Sequence, residues 1–215
     1  MEKYNIFEDY AKDALTRFLS FAVPDEAEEI VKKLKSRYFT ITEAMYVDKY
    51  ELSSVVGDAA ARMIKLVAAI LSRKVTDSYR FGKYYNNFEI AEYLVAFFMG
   101  IPNETICLLL FSDDDAFLGA ELIGSGTVNS AEIVTRDIIE VAREYGVKNV
   151  AIAHNHPRGT PRPSREDIAI TELLRKKLGS AGFTFSGHYI IATKDYVKLG
   201  KEDDLSYYKE YADSH

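Results

Sequence analysis

The 215-residue sequence contains one cysteine, Cys107, and no tryptophan. A single cysteine excludes an intrachain disulfide framework and any zinc site built from several cysteines. No apolar run approaches the roughly 18–20 residues that a membrane helix needs. The first residues, MEKYNIFEDY, are rich in acids and lack the apolar core of a signal peptide. We therefore expect a cytoplasmic protein with no membrane segment.

The sequence also lacks an excess of positive charge, since its 33 acidic residues outnumber its 27 lysines and arginines and the formal net charge is −6. This balance argues against a strongly basic nucleic-acid-binding protein, although it leaves room for a local basic patch. The remaining composition, with 47% hydrophobic residues, is typical of a globular protein. A chain of this length is expected to form one or two domains.

Residues 1–78 carry apolar side chains at helical spacing, and this pattern predicts a small helical domain. Within ELSSVVGDAAARMIKLV, Asp58 follows Gly57 and is the expected N-cap of a helix. The polar and aromatic stretch TDSYRFGKYYNN interrupts the periodicity, so residues 79–86 are predicted to be a linker. Residues 87–215 are then predicted to form a second domain.

Helices and strands alternate in the second domain. The predicted helices are NFEIAEYLVAFFMG, SAEIVTRDIIEVAREYG and SREDIAITELLRKKLGSAG, and the tail DDLSYYKEYADSH is expected to add a short one. The predicted strands are ETICLLLF, LGAELIGSG, VKNVAIAHNH and FTFSGHYIIAT, of which the first two read as a hairpin. The pattern indicates an α/β (α+β) fold with helices flanking one sheet.

The stretch AHNHPRGTPRPSREDIAI concentrates the chemistry of the chain. His154 and His156 point to the same side because successive side chains of a strand alternate between its faces. Three of the five prolines stiffen the loop that follows: Pro157, Pro161 and Pro163. Asp167 lies in the first turn of the next helix, where it can reach back to the strand end. Two histidines and one aspartate leave a fourth position open, as in catalytic zinc sites.

A simpler interpretation of these residues is structural. Ser164 followed by Asp167 fits a helix-capping pattern, and the histidines could be ordinary polar residues at a strand end. Capping and metal binding are compatible, so the first does not exclude the second.

The spacing H-x-H, seven residues, S, two residues, D resembles the signature of the JAMM (MPN+) metalloproteases. More narrowly, AHNHPRGTPRPSREDI, ELIGSGTVNSAEIV and GHYIIA resemble the bacterial RadC family, and so does the helical leader. The resemblance implies a JAMM/MPN-type, cytidine deaminase-like mixed sheet flanked by helices. It also implies that the leader is a degenerate helix-hairpin-helix-like domain.

The resemblance further implies the roles of individual residues. Zn²⁺ would be held by His154, His156 and Asp167. Glu121, in LGAELIGSGT, would be the general base that takes a proton from the zinc-bound water, and Ser164 would stabilise the oxyanion. The implied reaction is hydrolysis of an amide or isopeptide bond in a protein or peptide substrate.

The loop also carries a local basic rim. Arg158 and Arg162 could attract a carboxylate or phosphate on a substrate, or they could simply be solvated. Other zinc hydrolases fit less well, because the sequence has neither an HExxH motif nor the Pro-Cys-x-x-Cys segment of zinc deaminases.

Two functions outside hydrolysis stay open. Members of the RadC family are customarily labelled DNA repair proteins, but the leader keeps only Gly57 of the usual Gly-hydrophobic-Gly turn, and Asp58 adds negative charge there. The protein could instead be a binding module with a structural or vestigial metal. An edge strand of the hairpin could pair with a substrate or with a second copy in a homo-oligomer. His188 is expected in the core or beside a metal ligand.

Overall fold

The structure is a computed structural model that describes residues 14–38, 41–125, 131–157, 159–193 and 195–200. Its first part is helical. After helical residues 14–20 come α1 (Ala27–Arg37), α2 (Ile41–Tyr46), α3 (Lys49–Val56) and α4 (Asp58–Thr76). Their buried apolar side chains form a core of their own, which includes Leu19, Ile30, Leu34, Leu52 and Ile64. Within the described residues, no helix combines the length and apolar character that a membrane crossing requires.

The second part is a five-stranded mixed sheet with helices on both faces. Its elements are α5 (Asn87–Phe97), β1 (Thr105–Phe111), β2 (Phe117–Ser125), α6 (Ala131–Glu144), β3 (Asn149–Asn155), α7 (Arg165–Ser180), β4 (Thr184–Ala192) and β5 (Asp195–Leu199). The strand order is β2-β1-β3-β4-β5. Strands β3 and β4 are parallel and joined by α7, whereas the other neighbours are antiparallel. The predicted α/β (α+β) fold with a helical N-terminal region is confirmed.

Strand β1 is buried on both faces, as its continuous apolar run predicts. Cys107 and Leu109 pack on the side of α5, while Leu108 and Leu110 pack on the side of α6 and α7. Burial raises the pKa of the Cys107 thiol, so this cysteine is a core residue and unsuited to nucleophilic chemistry. The sheet is therefore the middle of three layers, and the start of α7 lies on the same side as Leu108.

Residues 77–86 lie against the sheet. Tyr79 packs against Tyr93 of α5 with ring centroids 5.2 Å apart, and Lys83 forms an isolated bridge with Phe117 of β2. Asn86 then begins α5 with a capping box that includes Glu89. The stretch predicted as a linker thus carries aromatic side chains that cover one face of the sheet.

The predicted cap at Asp58 is wrong. Gly57, at φ 80°, both ends α3 and precedes α4, so Asp58 is already the first residue of α4 and no side chain caps that helix. Because one glycine with positive φ makes the whole turn, no separate capping residue is needed. The Asp58 carboxylate instead pairs with Lys49, at 3.5 Å, and with Arg62.

Strand β5 was not predicted. Its sequence, DYVKL, is short and mostly half-buried, so neither periodicity nor a buried apolar run identifies it. It becomes a strand because β4 offers a free antiparallel edge. Other sequence predictions lie outside the described residues: the first 13 residues of the predicted helical domain and the helix of the C-terminal tail.

We predict that Gly187→Ala destabilises the protein by about 1–3 kcal/mol. Gly187 has φ 137°, and a Cβ at this position would lie 2.9 Å from the Leu199 carbonyl oxygen of β5. Chemical denaturation measures the loss. Gly179→Ala in α7 is the matched control, because a Cβ there meets nothing within 4 Å. The control should be neutral or stabilising, and equal losses in both variants would contradict the argument.

Candidate metal centre

The end of strand β3 brings two histidines together. His154 lies on the face of β3 that carries Ile152, and only 5% of it is exposed. The backbone N–H of His156 donates to the Ile191 carbonyl of β4 at 2.7 Å, which keeps the chain extended beyond the end of β3. The two imidazole Nε2 atoms lie 2.8 Å apart.

The first turn of α7 adds a carboxylate to this pair. Ser164 is the N-cap of α7, and its Oγ accepts a hydrogen bond from the Asp167 N–H at 3.0 Å. Asp167 Oδ2 in turn accepts from the Ser164 N–H at 2.8 Å and from its hydroxyl at 2.6 Å. This capping box directs Asp167 Oδ1 to within 3.2 Å of His154 Nε2, and Oδ2 lies 3.6 Å from His156 Nε2. Capping and convergence on the histidines therefore occur together.

The three side chains fit a metal ion. One ligand atom from each of His154, His156 and Asp167 lies within 4.8 Å of the others. Zinc bonds of roughly 2.0–2.1 Å in a tetrahedron would place ligand atoms about 3.3 Å apart. The observed separations are 2.8 Å between the two Nε2 atoms, 3.2 Å from His154 Nε2 to Asp167 Oδ1 and 3.6 Å from His156 Nε2 to Asp167 Oδ2. The sequence-predicted ligands thus lie close enough together to share one small cation.

The electrostatics of the cluster also suit a cation. Burial lowers the pKa of His154 to about 4, so its imidazole is neutral. The facing Asp167 carboxylate raises the pKa of His156. Burial alone would raise the pKa of Asp167, but the bonds and charges from His156, His154 and Ser164 outweigh it and hold this pKa below its ordinary value. The site therefore combines one carboxylate charge with a neutral His154 imidazole and a His156 imidazole that the carboxylate makes more basic.

Glu121 lies away from this cluster. It faces Leu108 across the β1–β2 ladder, two strands from His154, which places the two Cα atoms roughly 12 Å apart. Its carboxylate accepts a hydrogen bond from the Tyr145 hydroxyl at 2.5 Å. The structure therefore does not bring Glu121 to the three ligands.

Glu104 is the acidic residue that does approach them. It directly precedes β1, and continuing the register of β1 and β3 from the pair Ile106–His154 sets Glu104 opposite His156. Its charge contributes, after that of Asp167, to the raised pKa of His156. Sequence analysis missed it. The available signal was its place immediately before the apolar run of a strand antiparallel to the one bearing the histidines.

A cavity of about 1040 Å³ opens over the cluster. Its wall is mainly apolar and includes residues of β1, β3 and α7. The described lining residues are Pro102, Asn103, Glu104, Ile106, Ile152, His154, His156, Pro157, Gly159, Ser164, Glu166, Asp167, Ala169, Ile170, Leu173 and His188. The cavity provides room for a substrate beside the three ligands and Glu104.

The other predicted site residues have different positions. The Ser164 hydroxyl donates its only proton to Asp167, so stabilising an oxyanion would require this bond to break. Arg158 lies outside the described residues, and Arg162 is exposed and not among the lining residues above.

In the helical region, Lys49 and Arg62 are both ion-paired with Asp58. DNA binding by the helical region stays a prediction, as does homo-oligomer formation.

Comparisons with known proteins identify the family of the chain. The family described as "RadC-like JAB domain" matches residues 85–205. A UPF0758 protein of Carboxydothermus hydrogenoformans is 28% identical over 194 residues, which cover 88% of this chain and 86% of the relative. A UPF0758 protein of Enterococcus faecalis is 29% identical over 157 residues, 71% of this chain and 67% of the relative. Because the family match spans more than half of the sequence, the chain belongs to the RadC family and carries its JAB domain.

Proposed function

We propose that this protein is a zinc-dependent hydrolase that cleaves an amide or isopeptide bond in a protein or peptide. The observation that carries the proposal is the convergence of His154, His156 and Asp167 beneath a cavity that Glu104 also lines. A bound zinc ion would act as a Lewis acid, lowering the pKa of a coordinated water to about 7 and polarising a carbonyl. The remaining steps depend on the residues of the chain itself.

Glu104 is the proton carrier in this proposal. Its carboxylate faces the cavity opposite His156, where it can take a proton from the attacking water and pass it to the leaving amine. A general base must come within hydrogen-bond reach of the proton that it abstracts. Glu121 lies two strands away from His154 and is hydrogen-bonded to Tyr145, so we assign the role of general base to Glu104 instead.

Ser164 has a positioning role in this proposal. Its hydroxyl and its backbone N–H both donate to Asp167 Oδ2, which leaves Oδ1 directed at His154. A carboxylate held by two hydrogen bonds keeps its orientation while the substrate changes shape. Ser164 therefore acts on Asp167 and not on the substrate oxygen.

The apolar wall of the cavity defines the kind of substrate. Ile106 of β1 and Ile170 and Leu173 of α7 line the space beside the ligands. Apolar surface of this kind contributes binding energy for aliphatic side chains through desolvation. The proposed substrate thus presents an apolar residue next to the bond that is cleaved.

We predict that the purified protein, dialysed against zinc and then buffer, retains about one zinc ion per chain, because a site with three protein ligands binds one ion. Asp167→Asn, which keeps the shape of the cap but removes a charged ligand, should lower zinc affinity by about 100-fold or more. Metal analysis by plasma mass spectrometry measures the content. Glu121→Gln is the control and should retain the metal. Unchanged zinc in Asp167→Asn, or none in the wild type, would contradict the site.

We predict that Glu104→Gln lowers kcat by about 10²- to 10⁴-fold without loss of zinc, because it removes the proton carrier alone. Peptides joined through a lysine isopeptide bond, with aliphatic residues beside it, form the substrate panel. Glu121→Gln should stay within about twofold of the wild type. The reverse result would return the role to Glu121. Zinc binding without turnover of any peptide would favour the alternative of a binding module.

A third prediction separates the two roles of Ser164. If the side chain positions Asp167, Ser164→Ala should weaken zinc binding and destabilise the fold by about 1 kcal/mol through the lost cap. Ser164→Thr, which keeps a capping hydroxyl, should restore both properties. Thermal denaturation and zinc titration measure them. A fall in kcat at unchanged zinc affinity would instead indicate direct contact with the substrate oxyanion.

A further inference from the structure

Two buried side chains that are not predicted metal ligands connect His154 to the backbone of α7. Thr171 Oγ1 lies 2.6 Å from the Asp167 carbonyl oxygen and 2.7 Å from His188 Nδ1. His188 Nε2 lies 2.7 Å from His154 Nδ1. Thr171 is 0% exposed and His188 is 1% exposed, so no solvent contact competes with these bonds. The three side chains form a continuous line of hydrogen bonds that ends at the metal-facing ring of His154.

The direction of every bond in this line follows from counting protons. A backbone carbonyl oxygen only accepts, so the single hydroxyl proton of Thr171 goes to Asp167. Thr171 Oγ1 must then accept the proton that His188 carries on Nδ1. A neutral imidazole has one N–H, and burial disfavours its charged form, so His188 Nε2 is an acceptor. His154 therefore carries its proton on Nδ1 and presents a lone pair on Nε2.

The Nδ1 atom of His156 is also hydrogen-bonded, in this case directly to a backbone carbonyl. This atom lies 2.8 Å from the Thr160 carbonyl oxygen, which can only accept, so the imidazole proton also lies on Nδ1. The Nε2 atoms of the two rings are thus held 2.8 Å apart with the Asp167 carboxylate beside them. Two nitrogen lone pairs repel at this distance unless a shared proton or a cation lies between them. When a cation replaces the proton, both rings already offer Nε2, because Nδ1 is hydrogen-bonded on the far side of each ring.

We propose that Thr171 and His188 are positioning residues that hold His154 in its Nδ1–H tautomer, so that Nε2 is always available to the metal. This inference rests on the proposed metal site and adds the residues that prepare it. His156 is anchored by a backbone carbonyl that no substitution removes, whereas His154 depends on two replaceable side chains. The line of three side chains is therefore the part of the site that single substitutions can test.

The first test compares Thr171→Val with Thr171→Ser. Valine has the shape of threonine but neither accepts from His188 nor donates to Asp167, whereas serine keeps the hydroxyl. We expect Thr171→Val to lower zinc affinity by about 10- to 100-fold, the usual effect of losing a partner behind a ligand. Thr171→Ser should stay within about threefold of the wild type. Competition with a chromophoric zinc chelator measures the affinity, and circular dichroism confirms the fold.

A second test uses His188 itself and reads the tautomer without any metal. His188→Gln keeps an oxygen that can accept from His154, and His188→Leu keeps none. Nitrogen-15 NMR of the zinc-free protein at pH 8 should show the His154 proton on Nδ1 in the wild type and in His188→Gln. His188→Leu should show a mixture of tautomers and weaker zinc binding.

These readouts separate the inference from the function on which it rests. A wild-type protein that shows the Nδ1–H tautomer and loses it in His188→Leu, yet binds no zinc, would overturn the metal site and keep the positioning role. A wild-type protein that binds zinc with an affinity and tautomer insensitive to both Thr171→Val and His188→Leu would overturn the positioning role and keep the metal site.

Discussion

The candidate site depends on one interaction, the reciprocal capping of α7 by Ser164 and Asp167. A helix start needs acceptors for its free N–H groups, and Ser164 supplies one while Asp167 returns to the Ser164 backbone. The same contacts direct Asp167 Oδ1 at His154. A local requirement of helix formation therefore places the carboxylate that the histidines face. The Asp167 carboxylate both caps the helix and faces His154, so helix capping and metal binding do not exclude each other.

Burial determines how the histidines behave. His154 lies where a strand of the middle layer ends beneath α7, and desolvation keeps its imidazole neutral. A buried neutral imidazole must satisfy its N–H, and His154 does so through His188 of β4, which in turn is hydrogen-bonded to Thr171 of α7. The parallel pair β3 and β4 brings His188 beside His154, since α7 connects them in one crossover. The hydrogen bond on the Nδ1 side of His154 is thus a consequence of the strand topology.

Strand register decides which acidic residue lies near the candidate site. Glu104 directly precedes the apolar strand β1, whereas Glu121 lies in the middle of β2. The β1–β3 ladder places Glu104 opposite His156, while the β1–β2 ladder places Glu121 on the edge strand beside Tyr145. Side chains on one face of a sheet can still be far apart when two strand spacings separate them. Spacing along the chain carries no information about that distance.

The sequence by itself determined the fold class, the buried strand β1, the capping box of α7 and the set His154, His156 and Asp167. These features are local, because periodicity, caps and short motifs act over a few residues. Only the tertiary structure decided the strand order, the edge strand β5, the place of Glu104 and the bond of His188 to His154. Each of these depends on which distant segments pair, and that choice reflects the packing of the whole sheet, which no short stretch of sequence encodes.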